Sequence, residues 1–104
     1  MAVANRGEVW LIDLGYVAKV RTCFILSVPV LPQDRAVMTV VPHTTSVRAS
    51  RFEVSIPIRF LKPGAFDAQD LVTTSQVKLI RKLGNLTADQ LKQVEDAARA
   101  WLGL

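Results

Sequence analysis

Along most of the chain, apolar residues fall in short clusters separated by turn-forming residues, the rhythm of β-strands. Val9, Trp10, Leu11 and Ile12 predict a first strand, closed by Asp13, Leu14 and Gly15. Residues 20–28 predict a second strand with apolar positions on both faces, ended by Val28-Pro29 and Leu31-Pro32, and residues 37–41 predict a third. In residues 52–58, Phe52, Val54, Ile56 and Ile58 alternate with polar positions and share one face. Pro57 cannot donate a ladder hydrogen bond, which places this fourth strand at a sheet edge. Pro63-Gly64 marks a turn, and residues 71–80 read as one long β-prone segment.

The C-terminal segment has a different period. Thr87-Ala88-Asp89-Gln90 has the spacing of a capping box, in which the Thr and Gln side chains satisfy each other's unpaired amides. Leu91, Val94, Ala98, Trp101 and Leu102 then recur at helical spacing, opposite Lys92, Gln93, Glu95, Asp96 and Arg99. This predicts an amphipathic helix laid on the sheet, with Trp101 in the core. The fold class is mainly β with a C-terminal α-helix, arranged as a compact barrel or sandwich.

Composition sets the scale of that fold. The 104 residues suit one domain, residues 1–104, without disulfide or metal staples. No apolar run is long enough to span a bilayer, and the N-terminus lacks the apolar stretch of a secretory signal, so the expected location is the cytoplasm. The single cysteine, Cys23, lies in the run Cys23-Phe24-Ile25-Leu26 and reads as a buried, inert thiol. Thirteen Lys and Arg against nine Asp and Glu give a net charge of +4, a bias toward phosphate or an acidic protein partner. The carboxylates form no recognisable metal-binding cluster and His43 is the only histidine.

Candidate chemistry emerges from the hairpin of the second and third strands. An antiparallel register with Val28 opposite Val37 places Arg21 opposite Thr44 on one face, with Cβ atoms roughly 5 Å apart. A guanidinium beside a hydroxyl suits the grip of a phosphodiester and the charge that develops on it. Lys19, His43, Thr45, Ser46, Arg48 and Arg51 lie nearby in sequence, a set of donors that a nucleic-acid strand could follow. Strand ends and loops are also where Arg, Ser and Thr ordinarily sit, and on pattern alone that plainer reading is favoured.

Four segments in order shift that balance. Arg6-Gly7-Glu8-Val9-Trp10-Leu11-Ile12-Asp13-Leu14 resembles the opening strand of the MazF/PemK family of toxin ribonucleases. Val20-Arg21 with Phe24-Ile25-Leu26-Ser27, Val40-Val41-Pro42-His43-Thr44, and Ser75-Gln76-Val77-Lys78-Leu79-Ile80 followed by Lys82-Leu83-Gly84 resemble its second, third and late strands. The resemblance implies a small SH3-like β-barrel of the plasmid-toxin, CcdB-type architecture, which dimerises. It implies the toxin of a type II toxin–antitoxin system, an endoribonuclease that cuts single-stranded mRNA without metal or cofactor, using the ribose 2′-hydroxyl as nucleophile. An acidic cognate antitoxin would be its protein partner.

By the same resemblance, Arg21 stabilises the transition state and Thr44 positions the phosphate. Lys19, His43, Thr45, Ser46 and Arg48 fall to RNA binding, while Gln76 and Lys78 of the late strand become candidates for the base and for backbone contacts. Two features depart from the family: Thr22 and Cys23 follow Arg21 where the family has Pro, and the loop over residues 15–19 is short and not glycine-rich. Two other functions remain open at this stage, a gyrase poison of the CcdB kind using Trp101 and an RNA-binding module without activity.

Overall fold

The computed structural model describes residues 3–15 and 19–104. Residues 16–18, in the loop noted above as short, and the first two residues lie outside that range. Among the described residues, seven strands form in chain order: β1 (Glu8–Asp13), β2 (Val20–Ile25), β3 (Val37–Thr44), β4 (Glu53–Val54), β5 (Ala65–Asp67), β6 (Val72–Ser75) and β7 (Leu79–Asn85). One helix, α1 (Ala88–Leu102), ends the chain. The strand order is β4-β5-β3-β2-β1-β7, with β6 also paired to β3. No ladder among the described residues joins the two ends of the sheet. The mainly β class with a C-terminal helix holds, whereas a closed barrel does not form.

The sheet nevertheless curls. β6 lies beside β3 and β7 beside β1, and only the 3-10 turn Gln76–Lys78 separates β6 from β7 in sequence. Inside the curl, Trp10, Ile12, Cys23, Ile25, Met38 and Val40 form one core. On the other face, Val9, Phe24, Val41 and Phe66 pack with Ile56, Leu86 and, from the helix, Val94. Side chains alternate across strands, so central strands buried on both faces must be apolar at successive positions, as Cys23-Phe24-Ile25 is. Burial pushes the Cys23 thiol up to about 12, which keeps it protonated and unreactive.

The predicted 71–80 strand is two strands. Ser75 accepts a hydrogen bond at its Oγ from the Val77 amide, and this local cap turns the chain through Gln76–Lys78 before β7 begins. The predicted second strand stops at Ile25, because the Leu26 and Ser27 amides both donate to the Thr39 carbonyl and spoil the ladder. Only Glu53–Val54 of the predicted fourth strand pairs, at the sheet's end, although Phe52 and Ile56 keep their expected inward face. The sequence pattern did not predict β5, whose three residues are too few to show a period.

At α1 the capping box is present in both directions, Thr87 Oγ1 with the Gln90 amide and Gln90 Oε1 with the Thr87 amide. Val94, Ala97 and Ala98 are buried. Trp101 corrects the expectation: it stays 45% exposed, its ring set edge-on to Phe52 at 5.4 Å. Arg6 ties the N-terminal segment to the helix by pairing with Glu95, and donates to the Leu26 carbonyl. Glu8 performs the matching task at β1. Burial raises its pKa, but the Asn5 amide, the Trp10 indole and Lys82 outweigh that and hold the carboxyl below its usual range.

Candidate nucleic-acid interface

The β2–β3 ladder pairs Cys23 with Pro42, Phe24 with Val41 and Ile25 with Val40, the register predicted from the sequence. Extended two residues, it sets Arg21 across from Thr44. The ladder stops before that point. Pro42 has no N–H to donate, and β3 then turns to a new neighbour, pairing His43 with Phe66 and Thr44 with Ala65 of β5. In place of a ladder bond, Arg21 Nη2 donates to the His43 carbonyl at 3.0 Å. The guanidinium is thereby held at the point where β2 and β3 part.

Arg21 faces a cleft of about 380 Å³. β1, β2 and β7 supply its floor through Leu11, Thr22, Arg81 and Leu83; His43 and Thr45 line one side, and Phe60, Leu61 and Lys62 another. Among the described residues, no carboxylate lines it. Among the described residues, none of the ion pairs involves Arg21, Lys62 or Arg81. Three cations that converge on one concavity without anionic partners produce a field that favours a phosphate-bearing ligand.

The third strand also fixes what lies behind Arg21. His43 is buried, its ring edge-on to Phe66 at 5.1 Å, and its Nε2 has no hydrogen-bond partner among the described residues. Burial lowers its pKa, and the Arg21 charge lowers it further, so the imidazole is neutral. The Thr44 hydroxyl oxygen accepts from the Ser46 amide at 3.0 Å, which sets the loop that follows. Gly64 is required beside both residues: a Cβ there would lie 2.2 Å from the Thr44 carbonyl oxygen and 2.7 Å from His43 Cε1.

The other sequence-derived candidates separate from this cleft to different degrees. Lys19 and Lys78 line a second concavity with Asp13, Gly15 and Val20, and Val20 belongs to both hollows. Lys78 stands on the 3-10 turn, and Gln76 is buried in the same turn rather than carried on a strand. Ser46 is exposed in the loop after β3. Arg48 gives its backbone amide to the Glu53 carboxylate, and Arg51 lies over the Phe52 ring at 4.4 Å, in a hollow shared with α1. Sequence reading missed Phe60, Lys62 and Arg81. Arg81 reaches the cleft only because β7 pairs with β1, where two register irregularities defeat any reading from spacing. Among the described residues, no group of three or more His, Cys, Asp or Glu is placed to hold a metal ion.

Comparison with known proteins places this geometry among relatives. The sequence model of the PemK-like, MazF-like toxins of type II toxin–antitoxin systems matches residues 5–102. An endoribonuclease in complex with its cognate antitoxin, from a mycobacterial species, superposes with a TM-score of 0.83 at 26% identity, over 97% of this chain and 96% of that one. The toxin MazF-mt6 of Mycobacterium tuberculosis gives 0.80 at 26% identity, over 93% of this chain and 97% of that one. MazF in the MazE–MazF complex (Form-II) of Deinococcus radiodurans gives 0.83 at 20% identity, over 100% and 99%, a likeness of fold. A search of curated protein sequences found no match.

Proposed function

The chain belongs to the PemK-like, MazF-like toxin family of type II toxin–antitoxin systems, and on that premise we propose that it is an endoribonuclease cutting single-stranded RNA at the Arg21 cleft. The observation that carries this reading is the cleft itself: Arg21 docked on the His43 carbonyl, with Lys62 and Arg81 beside it and no carboxylate among the described residues of the lining. The curled sheet fits an open SH3-like barrel, a shape that leaves this corner accessible.

In the proposed reaction, the ribose 2′-hydroxyl oxygen attacks the adjacent phosphorus. A P–O2′ bond forms as the 2′-hydroxyl proton passes to solvent, the P–O5′ bond breaks as O5′ takes up a proton from Arg21, which regains it from solvent, and the products are a 2′,3′-cyclic phosphate and a 5′-hydroxyl. Negative charge builds on the non-bridging oxygens as phosphorus becomes five-coordinate. Arg21 offers fixed N–H donors to that charge, and donors fixed before the reaction stabilise a transition state without reorganising during it. Its guanidinium also stands ready to protonate the departing O5′. Thr44, which follows the His43 carbonyl that holds Arg21, positions the scissile phosphate. Thr45 and Ser46 continue the donor surface along the loop, and Lys19 and Lys78 extend it past Val20 for neighbouring phosphates. No step in this scheme requires a metal.

We also propose a homodimer and an acidic cognate antitoxin, since the mycobacterial relative is an endoribonuclease in complex with its cognate antitoxin and this chain carries net charge +4. Incubation of the purified protein with a long single-stranded RNA in chelator tests the reading. Internal cuts ending in 2′,3′-cyclic phosphate support it. Binding without cleavage would assign an inactive RNA-binding module, and gyrase-dependent DNA breaks would assign a gyrase poison.

A further inference from the structure

Phe60 has an environment that packing alone does not account for. It lies outside the regular strands, in the connection between β4 and β5, and 38% of it is exposed. Its ring rests on Gly84 of β7: a Cβ on that glycine would meet Phe60 Cε1 at 2.5 Å and Cζ at 2.6 Å. The strand therefore lacks a side chain at the one place that lets an aromatic ring settle against it. The ring also lines the cleft that holds Arg21, Lys62 and Arg81, beside the apolar side chains of Leu61 and Leu83. An exposed aromatic among unpaired cations matches what single-stranded nucleic acid presents, a π-face on every base and a phosphate between successive bases.

We propose that Phe60 is the nucleobase platform of this cleft, stacking a base next to the phosphate held at Arg21, while Lys62 and Arg81 take the flanking backbone. The inference rests on the RNA-cleaving reading above and deepens it by naming the residue that fixes substrate register. Phe60 is a specificity-determining residue in this scheme, and Gly84 is the backbone feature that seats it. Selection among bases then follows from stacking strength and from which base fits between Phe60 and Leu83.

The test uses a single-stranded 2′-O-methyl oligoribonucleotide, which lacks the nucleophile and reports binding alone. Phe60→Leu keeps an apolar side chain but removes the π-face, and it should weaken binding roughly 5- to 150-fold while leaving the salt dependence unchanged. Lys62→Ala and Arg81→Ala should each lower the slope of log affinity against log salt by about 0.7. On a cleavable transcript, Phe60→Leu should spread the cuts over more sites. Phe60→Trp supplies a second readout that holds even if the Leu variant unfolds: its added indole fluorescence should be quenched by the oligonucleotide beyond any change in the parent protein. Parent protein that cuts RNA, with a folded Phe60→Leu variant that binds and cuts identically or with no added quenching in Phe60→Trp, overturns the platform. Parent protein that cuts no RNA overturns the functional reading instead.

Discussion

At the residue scale, the account depends on how little freedom surrounds Arg21. Its Nη2 contact to the His43 carbonyl places the cation by a backbone atom, and His43 is itself locked between Phe66 and Gly64. Gly64→Ala should therefore act at two levels. Its Cβ must displace the Thr44 carbonyl, a backbone group that cannot rotate away, so stability should fall by about 1–3 kcal/mol, the range for overpacked sites, measured by denaturant unfolding. RNA cleavage by the folded fraction should fall as well, because the same shift moves the strand that carries Thr44.

His43 gives a separate prediction. Its folded pKa is depressed by burial and by Arg21, so the unfolded chain binds the proton more readily than the folded one. The neutral ring's contribution is complete above the unfolded value of about 6.5 and is lost as pH falls through the lower folded value. Unfolding free energy measured between pH 8 and pH 5 should decline on the acid side of about 6.5. In His43→Gln that part of the decline should disappear, leaving the loss at lower pH that Glu8 and Glu53, both with depressed pKa values, produce. The β2–β3 register was legible in the sequence as far as Cys23 and Pro42, because one loop and an apolar run determine it. Phe60, Lys62 and Arg81 were not: the pairing of β7 with β1 brings in Arg81, the connection between β4 and β5 brings in Phe60 and Lys62, and no local pattern encodes either.

At the element scale, local chemistry decided where strands and helix begin and end. The helix was readable because Thr87 and Gln90 state its start in side-chain chemistry and Gly103, with φ of 73°, closes it. Thr87→Ala should cost about 1 kcal/mol, read as a lower unfolding midpoint with an unchanged denaturant slope. Trp101 was misplaced in the core because the helical stripe continues to a half-exposed position, where its ring meets Phe52 edge-on. The 71–80 segment misled for the opposite reason. Its β propensity is real on both sides of Ser75, but one hydroxyl on the Val77 amide turns the chain and divides it into β6 and β7. That turn buries Gln76 and leaves Lys78 beside Lys19.

At the scale of the whole molecule, the fold segregates its tasks. Both faces of the central strands are spent on core, α1 covers one of them, and the anchors Arg6–Glu95 and Lys82–Glu8 use cations on structural pairs. Arg21, Lys62 and Arg81 are left to one corner, where β3 leaves β2 and the sheet opens. The net charge of +4 therefore understates the field there, because paired cations elsewhere do not contribute to it. The most direct measurement is the single-turnover rate of single-stranded RNA cleavage in chelator by the parent protein and by Arg21→Ala, with circular dichroism to establish that both are folded. The account predicts metal-independent cleavage by the parent and a rate lower by on the order of 10²- to 10³-fold in the variant. A folded Arg21→Ala protein that cuts at the parent's rate would contradict it.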